Sequence, residues 1–61
     1  MENLRDILYR KGYTQQDFAN KLGVRQETVS RWVNGVTRPR ADMLKKMSQI
    51  LHVSIKDLIG G

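Results

Sequence analysis

A small all-α domain of five helices is the fold class this sequence predicts, and three observations predict it. Apolar residues recur at the i, i+3, i+4 spacing of amphipathic helices in five separate segments. Glycines, a proline and residues suited to helix caps stand between those segments, where helices stop and start. No segment shows the sustained alternation of a strand. At 61 residues the chain buries only about 60% of the surface its unfolded form exposes, too little for two cores. Residues 1–61 are therefore read as one domain.

Leu4, Ile7 and Leu8 give the first helix, about residues 2–11, with Arg10 and Lys11 in its last turn where cations suit the helix dipole. Gly12 stops it. Thr14 then offers an N-cap with Asp17 three residues on, and Tyr13 and Phe18 can close a hydrophobic staple across that cap. The second helix, about 15–22, carries Phe18, Ala19 and Leu22 and meets Gly23, a residue suited to a left-handed turn. The third, about 26–34, aligns Val29, Trp32 and Val33 and ends near Asn34-Gly35. VTRPR is a loop. The fourth helix, about 41–51, places Leu44, Met47, Ile50 and Leu51 on one face, with Lys45 and Lys46 pointing away. Ser54 caps a short fifth helix, about 55–59, with Asp57 in its first turn and a Val53–Leu58 staple; Ile55, Leu58 and Ile59 return to the core.

Composition narrows the function. The formal net charge is +5, and its location says more than its size. Between Lys21 and Lys46 lie Lys21, Arg25, Arg31, Arg38, Arg40, Lys45 and Lys46 against only Glu27 and Asp42, whereas charges balance in the rest of the chain. A basic block of this kind suits a polyanionic partner, nucleic acid before an anionic membrane surface; a solvated face kept soluble by charge is the plainer account. There is no cysteine, so no disulfide framework or thiolate metal site is available and no oxidising compartment is needed. The charged N-terminus excludes a signal peptide, and no apolar run approaches the roughly 20 residues of a membrane span. A cytoplasmic protein is expected, with no membrane partner.

Enzyme chemistry has little to stand on. The single His52 lacks a second histidine or a carboxylate cluster to complete a metal site, so neither metal nor cofactor is expected. The serines lack partners, and neither a phosphate-binding glycine loop nor a paired-carboxylate pocket is in prospect. No catalytic residue is assigned. Trp32 could stack on a base, but its register with Val29 and Val33 assigns it to the core. Met43 and Met47 read as core filler.

Two short helices joined at a glycine are common, and the pattern becomes specific only position by position. Counting from Gln15 over a unit of roughly 20 residues, the small Ala19 falls where the helices cross and Gly23 at the turn. Phe18, Leu22, Val24, Val29 and Trp32 fill the apolar slots. TQQDFANKLGV, TVSRWVNG, the following RPR and the closing LHVSIKDLI continue the match. Over about Leu4 to Ile59 the sequence resembles the lambda-repressor-like, or Cro/XRE-type, helix-turn-helix family.

The resemblance implies a compact five-helix DNA-binding domain whose second and third helices form the motif and whose third helix enters the major groove. The residues agree with it. With Val29, Trp32 and Val33 inward, Glu27 and Arg31 lie opposite, while Arg25, Gln26 and Thr28 project from or flank the N-terminal end. These five are the base-contacting candidates. Arg31 suits guanine O6 and N7, Gln26 adenine, Glu27 cytosine N4, and Thr28 a thymine methyl. Glu27 has an equal alternative, a purely structural pairing with Arg31 at i, i+4. The family also places the start of the second helix near phosphates, which maps onto Thr14, Gln15 and Gln16. The loop after the third helix supplies Asn34, Thr37, Arg38 and Arg40, with Pro39 limiting the freedom of the two arginines.

Two departures from the family pattern stand out. Relatives commonly carry Ser or Thr as N-caps of the third and fourth helices, where this chain has Arg25 and Arg40, each exchange costing about 1 kcal/mol of capping, a loss recovered in binding if both guanidiniums face phosphate. A family Arg–Glu pair between the first and third helices corresponds to Leu8 and Val33, a matched apolar replacement that leaves no buried charge unpaired. The resulting expectation is a sequence-specific transcriptional regulator of the phage- or mobile-element repressor type. It would bind a double-stranded DNA operator, an inverted repeat, as a homodimer. The competing expectation is a protein-interaction adaptor or antirepressor that keeps the fold without reading bases. Single-stranded nucleic acid ranks below both, because Tyr9 and Tyr13 are too few exposed aromatics to stack a strand.

Overall fold

The computed structural model describes residues 3–59, apart from the side chain of Ile59. It is all-α among those residues: α1 (Leu4–Lys11), α2 (Gln15–Leu22), α3 (Gln26–Val33), α4 (Ala41–Leu51) and α5 (Ile55–Ile59). Their caps explain where they begin. Thr14 Oγ1 accepts from the Asp17 N–H at 3.0 Å, and Ser54 Oγ accepts from the Asp57 N–H at 3.1 Å, so both expected caps form. Tyr13 and Phe18 meet edge to face with ring centroids 5.8 Å apart, which closes the staple over the start of α2.

The first helix starts later than the pattern suggests. Asn3 is extended and its Oδ1 accepts from the Asp6 N–H at 3.0 Å, which makes Asn3 the cap and Leu4 the first helical residue. Glu2, read as the opening residue, lies outside the described residues. Likewise α3 ends at Val33, one residue short of the expected 34, with Asn34 as its cap.

The turns share one device. The Val24 N–H reaches the Ala19 carbonyl at 3.0 Å and the Gly23 N–H reaches Asn20 at 3.3 Å, with Gly23 at φ 75°. The same pair of reversed bonds recurs after α3, where Val36 reaches Arg31 and Gly35 reaches Trp32. After α4 the left-handed position is held by His52 at φ 56°, so that lone histidine serves the chain through its backbone.

The core consists of Ile7, Leu8, Phe18, Ala19, Leu22, Val29, Met47 and Leu51, with no buried polar or charged side chain among the described residues. Leu4, Trp32, Val33, Met43, Leu44, Ile50 and Leu58 pack around it, partly buried. Leu8 is 3% exposed, so the apolar residue standing at the family's charged-pair position is an integral part of this core. Two expectations need correction, those for Ile55 and Lys46. Ile55 is 39% exposed rather than buried, because a five-residue helix turns only one side inward and Leu58 occupies it. Ile59's side chain, expected in the core, lies outside the described set. Lys46 does not simply point away: its Nζ donates to the Leu22 carbonyl at 3.2 Å, in partly buried surroundings.

Candidate nucleic-acid interface

The packing of α2 against α3 is the most extensive between any two helices, and it fixes how α3 is presented. Val29 is fully buried and acts as the pin of the helix. Rotated away from it, Gln26, Glu27 and Arg31 are exposed, as is Arg25 just before the helix, while Thr28 is half-buried. The five candidates for base contact thus stand at or near the surface of one short helix. Glu27 and Arg31 make no ion pair with each other, so the structural pairing that their spacing allows is not formed, and both side chains are available for other partners.

The start of α3 lacks a side-chain cap. Arg25 is extended, at φ −78° and ψ 152°, and makes no capping bond; Arg40 before α4 is the same, at φ −71° and ψ 165°. First-turn N–H groups therefore accompany an exposed guanidinium at both helix starts, an arrangement that favours an anion.

The other candidates divide into two groups. At the start of α2, Thr14 commits its hydroxyl to the cap, Gln16 donates from Nε2 to Asn20 Oδ1 at 3.0 Å, and Gln15 is half-buried. Beyond α3, Thr37 and Arg38 line an open groove of about 440 Å³ together with Trp32, Pro39, Leu44 and Leu58. Trp32 forms a wall of that groove, so it is half core and half surface. Asn34, exposed, accepts at Oδ1 from Arg5 Nη2 at 3.0 Å and donates from Nδ2 to Ser30 Oγ at 3.4 Å.

Arg5 was not legible as part of this site. It belongs to α1, 29 residues from Asn34, within a segment whose charges balance. Only its place three residues before the core residue Leu8, on the exposed flank of the buried face of α1, could have drawn attention to it.

A helix-turn-helix family model matches residues 3–58. The chain is 32% identical over 60 residues to the HTH-type transcriptional activator BcrR of Enterococcus faecalis, across 98% of this chain and 29% of that protein. It is 35% identical over 60 residues to the SPbeta prophage-derived HTH-type transcriptional regulator YonR of Bacillus subtilis, across 98% of this chain and 56% of that one. An HTH-type transcriptional regulator of Archaeoglobus fulgidus shares 31% over 55 residues, across 90% of this chain and 79% of its own length. The chain thus spans under two thirds of the two bacterial relatives and most of the archaeal one. No solved structure gives a significant match.

Proposed function

This chain belongs to the Cro/XRE-type helix-turn-helix family, and on that premise we propose that it is a sequence-specific, double-stranded DNA-binding transcriptional regulator. The observation that carries this reading is the division of α3: Val29 is fully buried, while Gln26, Glu27 and Arg31 stand exposed and unpaired with one another. A helix anchored on one side and carrying base-edge chemistry on the other suits the major groove. Arg31 reads a guanine, Gln26 an adenine and Glu27 a cytosine N4, with Arg25 and Thr28 at the groove's edge.

Phosphate contacts come from Thr14, Gln15 and Gln16 on one side and Asn34, Thr37, Arg38 and Arg40 on the other. The seven cations between Lys21 and Lys46 make that binding salt-dependent. At 24 Å along its longest axis, one copy cannot span two major-groove segments about 34 Å apart. A homodimer on an inverted repeat satisfies the geometry and brings affinity that one small domain lacks.

The proposed role is operator occupancy of the phage- or mobile-element repressor type, supported by the prophage origin of one relative. Another relative is named an activator, which fits a reading domain whose α3 selects the site while its placement on the promoter sets the sign.

Selection from a randomised duplex pool tests the proposal. Enrichment of an inverted repeat supports it; binding that only fades with rising salt, without any enriched sequence, would replace it with the adaptor reading.

A further inference from the structure

We infer that Arg5 is a positioning residue for DNA binding, acting by fixing the orientation of the Asn34 side-chain amide. The inference rests on the proposed DNA reading and deepens it, because Arg5 lies outside the helix-turn-helix and outside every contact set named above.

The chemistry is directional. Asn34 carries an acceptor at Oδ1 and two donors at Nδ2, and rotating the amide by half a turn exchanges the two ends. Two side chains hold it. Ser30 Oγ sits 3.4 Å from Nδ2, but a hydroxyl can donate or accept and so tolerates either orientation. Arg5 Nη2 sits 3.0 Å from the other end, and a guanidinium can only donate, so it accepts one orientation alone. Arg5 is the partner that decides. With Oδ1 held on the guanidinium and one Nδ2 N–H given to Ser30 Oγ, the second N–H of Nδ2 remains for a further acceptor. A phosphate oxygen accepts and cannot donate, so this orientation binds it and the opposite one repels it.

The backbone beneath the amide is fixed as well. The Asn34 N–H bonds to the Ser30 carbonyl at 2.9 Å, and the Val36 N–H bonds to Arg31 at 2.9 Å around the left-handed Gly35. Side-chain orientation is therefore the one freedom left at Asn34, and Arg5 removes it. Preorganisation of this kind lowers the ordering cost of binding without adding a contact. It also couples α1, remote in sequence, to the end of α3.

The test is a double-mutant cycle on the duplex that the wild-type protein enriches, titrated at several salt concentrations, with thermal midpoints recorded for each variant. Arg5→Ala is expected to weaken binding about threefold to tenfold, with little change in midpoint because both residues are exposed. Arg5→Lys, still a pure donor, recovers most of that loss. In an Asn34→Ala background, Arg5→Ala has no further effect, and the salt slope changes by far less than one unit.

Full additivity of the two losses, or a slope reduced by about one unit as for a direct phosphate contact, would overturn the inference. So would unchanged affinity in Arg5→Ala. Absence of any enriched duplex would strike the DNA reading itself and this inference with it, so the two failures are distinguishable.

Discussion

Lys46 Nζ donates to the carbonyl oxygen of Leu22 at 3.2 Å, joining the fourth helix to the end of the second across 24 residues of sequence. That carbonyl belongs to the last turn of α2, where helical acceptors lack partners and cations are favoured. The bond braces the entrance to the turn at Gly23, and so the angle at which α3 leaves it.

Replacing the ammonium while keeping the stem isolates this bond. Lys46→Met is expected to lower stability by about 1 kcal/mol, a fall of roughly 4–8 °C in thermal midpoint for a domain of this size. Base preference is expected to persist, since the recognition surface is untouched. An unchanged midpoint by calorimetry would show that the ammonium merely rests there.

The turn itself offers a cleaner case. Gly23 sits at φ 75°, and a Cβ placed on it would meet nothing within 4 Å. Gly23→Ala is therefore a test of backbone conformation alone, with an expected cost of about 1–2 kcal/mol. Urea unfolding measures it, and Gly23→Asn should cost less, because asparagine visits the left-handed region more readily.

Arg25 and Arg40 stand where Ser or Thr would cap. Arg25→Ser is expected to stabilise the free protein by about 1 kcal/mol while lowering the salt slope of DNA binding by about one unit. Opposite signs are expected because the substitution supplies a cap and removes the guanidinium proposed to face phosphate. A salt slope equal to wild type would end the idea that Arg25 was placed for phosphate.

Local signals and long-range ones fared differently in the sequence. Thr14 and Ser54 were legible as caps because each bonds to an N–H only three residues away, and Phe18, Leu22 and Val29 were legible as core because helical spacing puts them on one face. Asn3 carries the same short-range signal, with Asp6 three residues on, yet the expected start at residue 2 lies two residues before the observed first helical residue, Leu4. Ile55 failed because periodicity assumes a helix long enough to present a full face. The bonds from Arg5 to Asn34 and from Lys46 to Leu22 join residues 29 and 24 positions apart. Nothing in local spacing encodes such pairs; they follow only once the helices are packed. The site has the same character: the exposed face of α3 could be read from the register of Val29, whereas the bond from Arg5 to Asn34 could not.

If α3 reads bases through its exposed face, Arg31 is the residue whose loss shows it. Binding-site selection from a randomised duplex pool, run in parallel with wild-type protein and Arg31→Ala, reports the effect at each base pair. The variant is expected still to enrich a related site but to lose preference at one base pair in each half-site, a discrimination of about 1–3 kcal/mol for a bidentate contact to guanine. An Arg31→Ala selection identical to wild type, with affinity reduced uniformly across all sequences, would place Arg31 on the phosphate backbone and contradict the reading of α3.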